Sequence, residues 1–132
     1  MSRPTPAPHI HNIPQWEEHC RTIRARALDL IEGRLGVIEA ARVIAKLGYW
    51  TSLREDPDVA AFVAIDSETD SLPLGEVRKL WADHALVRLD AEIEKAEGLY
   101  RQSALESAAR LAERFSWALD ARKARRNAGH AV

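Results

Sequence analysis

The sequence predicts an all-α, single-domain helical bundle. Three observations carry that expectation. Apolar residues recur at alternating steps of three and four along several segments; capping residues and first-turn prolines stand where those segments begin; and no stretch alternates apolar with polar residues as a half-buried strand does. At 132 residues the chain can bury a sizeable core unaided by a staple. Its one cysteine, Cys20, allows no intramolecular disulfide and falls on an apolar helical stripe, as a packed thiol would.

Residues 1–12 hold Pro4, Pro6 and Pro8 with little apolar content, which predicts a flexible proline-rich arm. The helical domain is expected over 13–120. Its first helix, about 13–32, carries Trp16, Cys20, Ile23, Ala27 and Leu30 on one face, with Asn12 as cap and Pro14 in the first turn. Glu17 and Glu18 sit where the helix dipole favours negative charge. After a break at Gly33 and Gly36, a second helix over 36–47 packs antiparallel to the first through Val37, Ile38, Ala41, Ile44, Ala45 and Leu47, and Gly48 is expected to close it as a left-handed cap. Tyr49, Trp50 and Leu53 form a connector. Asp56 then caps, and Pro57 opens, a short helix that buries Val59, Phe62, Val63 and Ile65.

Asp66-Ser67-Glu68-Thr69-Asp70-Ser71-Leu72-Pro73 has no apolar period and is rich in side chains that bond their own backbone, so an ordered acidic loop is expected there. Helix resumes near Gly75 with Val77, Leu80 and Trp81. A long C-terminal helix follows, striped by Leu86, Leu89, Ile93, Ala96, Tyr100, Ala104, Ala108, Leu111 and Phe115. Gly98 costs such a helix about 1 kcal/mol against alanine, and Ser103 and Glu106 have capping-box spacing, so the run is either one helix bent near Gly98 or two; one helix is the favoured expectation. Past Trp117 and Leu119, residues 121–132 read as a basic tail that frays, with Arg122, Lys123, Arg125 and Arg126 favouring the negative end of the helix dipole.

The net charge of −1 hides a polarised chain. Residues 55–76 contain seven carboxylates, Glu55, Asp56, Asp58, Asp66, Glu68, Asp70 and Glu76, and no lysine or arginine, while both flanks carry more bases than acids. A local field of that sign can steer a basic partner. The candidates for partner binding are Asp66, Glu68, Asp70 and Glu76. Arg78, one or two turns past the loop, is placed to fold back on Asp66, Glu68 or Asp70 and position them, with Trp81 packed beneath.

Other chemistries fit the residues less well. A calcium loop starting at Asp66 would put Ser71 where glycine is needed and Val77 where the closing glutamate belongs, so no metal is expected. His9 and His11 lack a second ligand pair. His19 and His84 have no nucleophile or carboxylate at a telling spacing, and there is no phosphate loop, paired-cysteine site or H-E-x-x-H. Neither an enzyme nor a cofactor is expected. Arg21, Arg24 and Arg26 with the C-terminal basic residues could meet nucleic acid, but interleaved acids and a pI near 6.5 disfavour it.

The stretch from Phe62 to Trp81 carries the pattern D-S-E-T-D-x-L-P-x-G followed by R-x-x-W. It resembles a family of small bacterial proteins of unassigned function, and the likeness covers about a third of the chain. The resemblance implies a helical cytoplasmic protein and an association with toxin-neutralising immunity proteins; it assigns no catalytic or ligand residue. Two readings follow. One is a non-enzymatic inhibitor whose acidic loop covers a basic surface on a toxin or effector protein. The other is a structural or regulatory subunit that self-associates or joins an assembly through the long helix, by Ile93, Ala96, Tyr100, Ala104 and Ala108. No stretch approaches the roughly 18 apolar residues that span a bilayer, and no apolar leader is visible, so no membrane partner and a cytoplasmic location are expected.

Overall fold

In the computed structural model, which describes residues 3–120, the elements follow in the order α1 (Ile13–Ile31), α2 (Val37–Thr51), α3 (Pro57–Thr69), the 3₁₀ turn Gly75–Leu80, and α4 (Asp83–Arg114), and residues 117–120 are helical again. No strand occurs among the described residues. The all-α bundle predicted from periodicity is therefore the fold. The basic tail falls at 121–132, outside the described residues.

α1 starts as expected: Asn12 accepts from the Gln15 amide at 3.0 Å, and Pro14 sits in the first turn. Its inner face, Trp16, Cys20, Ile23, Ala27 and Leu30, is buried. That face packs on α2 and on the C-terminal half of α4, where Ala104, Ala108 and Leu111 are fully buried. Phe62 of α3 and Phe115, just past α4, complete the same core. Each such side chain contributes about 1.5–3 kcal/mol on leaving water. A smaller cluster of Ile38, Leu72 and Leu89, flanked by Leu74, Ile93 and Ala96, holds the N-terminal half of α4.

α2 runs one turn past its expected end. Gly48 lies inside the helix, and Ser52, with φ of 57°, takes the left-handed closing position instead. Gly48 serves packing: a Cβ there would stand 2.7 Å from Cγ1 of fully buried Val59, so the missing side chain is what lets α3 approach. α4 is continuous through Gly98, where a Cβ would meet nothing within 4 Å.

Residues 3–12, read as an arm, contain no helix and touch the bundle in several places. Arg3 lies 4.3 Å over the Trp117 ring and 3.5 Å from Glu17; Trp117 in turn stacks on Trp16; and His9 Nε2 is 3.0 Å from the Ser52 hydroxyl. Trp16 Nε1 donates to the Thr51 carbonyl, tying the start of α1 to the end of α2.

The two glycines predict opposite outcomes. Gly48→Ala should lower stability by about 1–2 kcal/mol, because overpacking against Val59 outweighs the helix-propensity gain, whereas Gly98→Ala in dilute solution should raise it by about 1 kcal/mol. Urea denaturation of both variants checks the contrast.

Candidate functional site

Six of the seven carboxylates of residues 55–76 divide into two groups; the seventh, Glu55, is exposed in the connection before α3. Asp56 and Asp58 turn inward at the start of α3. Asp56 caps the helix, accepting from the Asp58 and Val59 amides at 3.0 and 3.2 Å, and pairs with Arg114 of α4. Asp58, 5% exposed, accepts from Arg110 Nε and Arg114 Nη1, each at 2.7 Å. Burial pushes the Asp56 carboxyl up, but the Arg114 hydrogen bond, the two amides and the Arg114 charge outweigh it and hold the group below its ordinary value. These two charges bind α3 to α4 and are not a partner surface.

Asp66 and Glu68 lie on the last turns of α3, which continues to Thr69. The expected loop is thus helical as far as Thr69, and the reason is a tertiary clamp. Arg42 of α2 donates from Nη2 to the carbonyls of Thr69 and Leu72, at 2.8 and 2.5 Å, taking up acceptors that a helix end leaves unmet. The Thr69 hydroxyl, itself buried, donates to the Ile65 carbonyl at 2.7 Å, and Asp66 stands 4.0 Å from Arg42 Nε. Asp70 is the C-cap residue, and Glu76, in the 3₁₀ turn, pairs with Lys79 at 2.7 Å.

Arg78 does not hold this segment. It makes a two-pronged pair with Asp90 on α4, at 2.5 and 3.0 Å, and its place as the clamp belongs to Arg42. The Asp90 hydrogen bond raises Arg78 further above its ordinary value and lowers Asp90. Trp81, expected beneath the loop, is 41% exposed. With Val77 and the 86%-exposed Leu80 it forms an apolar ridge along the 3₁₀ turn, downstream of Glu68, Asp70 and Glu76. Glu68, Thr69, Ser71 and Leu72 also face Glu92, Lys95 and Leu99 of α4 across an open groove of about 250 Å³.

The long-helix face expected to bind a partner is occupied from within. Ala104 and Ala108 are fully buried, Tyr100 packs on the main core, and Ile93 and Ala96 pack on the smaller cluster. Its stripe was the intramolecular core. Glu97 accepts from the Val37 and Ile38 amides at 2.7 and 3.2 Å, so α4 supplies the N-terminal cap of α2. Gly36 leaves room for that carboxylate, since a Cβ there would come within 2.8 Å of it.

Among the described residues no three His, Cys, Asp or Glu side chains gather closely enough to hold a metal ion. Burial, and then the Glu17 charge, push the Cys20 thiol up to about 12, so it stays protonated at neutral pH. His19 lies against Trp50 at 5.3 Å, and Arg24 donates to the Ala112 carbonyl at 2.9 Å, linking α1 to α4. No helix of the described residues is long and apolar enough to cross a membrane. Comparison with known proteins returns no matching family model, no matching curated protein and no matching solved structure.

Two predictions follow from this geometry. Acidification from about pH 4 downward should reduce stability, because unfolded Asp56 takes up a proton there before the folded group does; Asp56→Asn should flatten that loss in urea titrations at pH 6 and pH 3. Arg42→Met, which keeps the apolar stem, should speed amide exchange over residues 69–75 roughly tenfold, since two charge-assisted bonds are worth on the order of 1.5 kcal/mol or more. Arg78→Met should leave that segment's exchange unchanged.

Proposed function

We propose that the chain is a non-enzymatic protein-binding module of the cytoplasm whose contact surface is the 3₁₀ turn and the end of α3. The carrying observation is the exposed ridge of Val77, Leu80 and Trp81 downstream of the carboxylates of Glu68, Asp70 and Glu76. Apolar side chains left in water at one place mark contact surfaces, and tryptophan is favoured as an interface anchor. On this reading the ridge supplies the buried centre of the contact and the carboxylates its acidic rim. The partner is a protein with an apolar recess edged by lysine or arginine. An inhibitor of the immunity type, covering a basic toxin or effector surface, is the specific form that the D-S-E-T-D-x-L-P-x-G resemblance supports.

The Arg42 clamp supports the proposal as well, because a surface ordered before contact has less entropy to lose on binding. Affinity capture from a cell lysate with wild-type protein, Leu80→Ser/Trp81→Ala and Glu68→Gln/Asp70→Asn tests it. The apolar double variant should lose the partner. The charge variant should retain it but associate more slowly and with a shallower salt dependence, since exposed carboxylates steer over a Debye length of about 8 Å. Equal capture by all three folded proteins would refute the assignment.

A further inference from the structure

The outward face of α4 carries a charge pattern that nothing else in the chain uses. Opposite the buried stripe lie Ala91, Gly98, Gln102 and Ala109, all exposed, and an open apolar groove runs past Gly98, Leu105 and Ala109. Along one flank of that face stand Arg88 and Lys95 in the N-terminal half and Glu106 and Glu113 in the C-terminal half, again all exposed. Within the described residues Arg88, Lys95 and Glu113 have no ion-pair partner, and Glu106 meets only Gln102, at 3.4 Å. Gly98 adds an independent point. It costs a helix interior about 1 kcal/mol against alanine, yet no neighbour in the chain comes within 4 Å of where its Cβ would be, so internal packing does not account for it.

We propose that this face binds a second copy of the chain, with the two α4 helices antiparallel and crossing near Tyr100. The occupant is chosen by charge complementarity. Arg88 and Glu113 are placed symmetrically about a point between Tyr100 and Arg101, and so are Lys95 and Glu106. In an antiparallel pair residues on the same flank meet, so Arg88 of each copy faces Glu113 of the other and Lys95 faces Glu106. The seam lies within half a residue of that centre: Ala91 and Ala109, and Gly98 and Gln102, are symmetric about Tyr100, and these mostly small residues permit close backbone approach. In a parallel pair this flank of one copy would meet the opposite flank of the other, so neither the Arg88–Glu113 nor the Lys95–Glu106 pairing would form. A helix of 32 residues, about 48 Å long, gives both halves room to engage at once. The contact is independent of the ridge at Val77, Leu80 and Trp81 and does not rest on the partner-binding proposal.

Sedimentation equilibrium of the full chain, with circular dichroism to confirm the fold, tests the pairing through charge reversal. Arg88→Glu/Lys95→Glu makes the flank wholly acidic, and Glu106→Lys/Glu113→Lys makes it wholly basic. Each variant alone should dissociate at least ~tenfold more readily than wild type, while an equimolar mixture of the two should associate as well as wild type, since opposite charges then face each other at both ends. Gly98→Leu, built into open space in the single chain, should stay folded and monomeric. A wild type and a mixture that both remain monomeric at several hundred micromolar would overturn the proposal. So would dimers that survive both reversals unchanged, because the contact would then lie elsewhere.

Discussion

The burial of α2 is the constraint on which the other helices depend. Nine of its 15 residues are buried, and α1, α3 and α4 all pack on it. A helix enclosed in this way has few chances to satisfy its ends or its polar side chains with water, so its neighbours must supply the partners. Glu97 of α4 receives the first amides, Trp16 of α1 donates to the last turn, and Gly48 omits a side chain so that Val59 of α3 fits. Arg42 works in the other direction. It reaches from the rim of α2 to the end of α3 and so sets the conformation of the acidic segment.

That hub explains which sequence inferences held. Apolar periodicity reports burial directly, and the stripes of α1, α2 and α4 were legible because a buried face must be apolar wherever its partner lies. Asn12 and Asp56 were legible as caps because their partners are two or three residues away. Gly48 was misplaced for the opposite reason. A glycine near a helix end looks the same whether it supplies a left-handed turn or a close approach, and only the position of Val59 separates the two. The segment from Asp66 to Thr69 has the local chemistry of a loop, but Arg42, 27 residues upstream of Thr69, overrides it.

Charge was the least legible property because a count of carboxylates is blind to pairing. Asp56 and Asp58 contribute to the acidic run in sequence, yet their partners Arg110 and Arg114 lie more than fifty residues away, and the resulting network is a fastening between α3 and α4. What is left exposed is smaller: Glu55, Glu68, Asp70 and Glu76, the last three shortly before the apolar Val77, Leu80 and Trp81 in sequence. Arg78 was expected to reach the acidic loop, but its carboxylate partner is Asp90 on α4. Glu97 shows that a charged residue on a long helix can be a buried helix's cap.

α4 is held unequally along its length, and this bears on where the chain can make contacts. Its C-terminal half is fixed by Ala104, Ala108 and Leu111 in the main core and by both arginines of the α3 network. Its N-terminal half rests on a smaller cluster, the Glu97 cap and the exposed Arg78–Asp90 pair. Fewer buried contacts mean lower local stability, so opening of the bundle should begin there. The exposed apolar side chains Val77, Leu80, Trp81 and Val87 lie in or before this same half, and Leu99 lies at its boundary. A contact made on them would therefore stabilise the part of the fold that its own core holds least, coupling partner binding to the order of the Arg42-clamped turn through Leu72, which belongs to both the smaller cluster and the clamp.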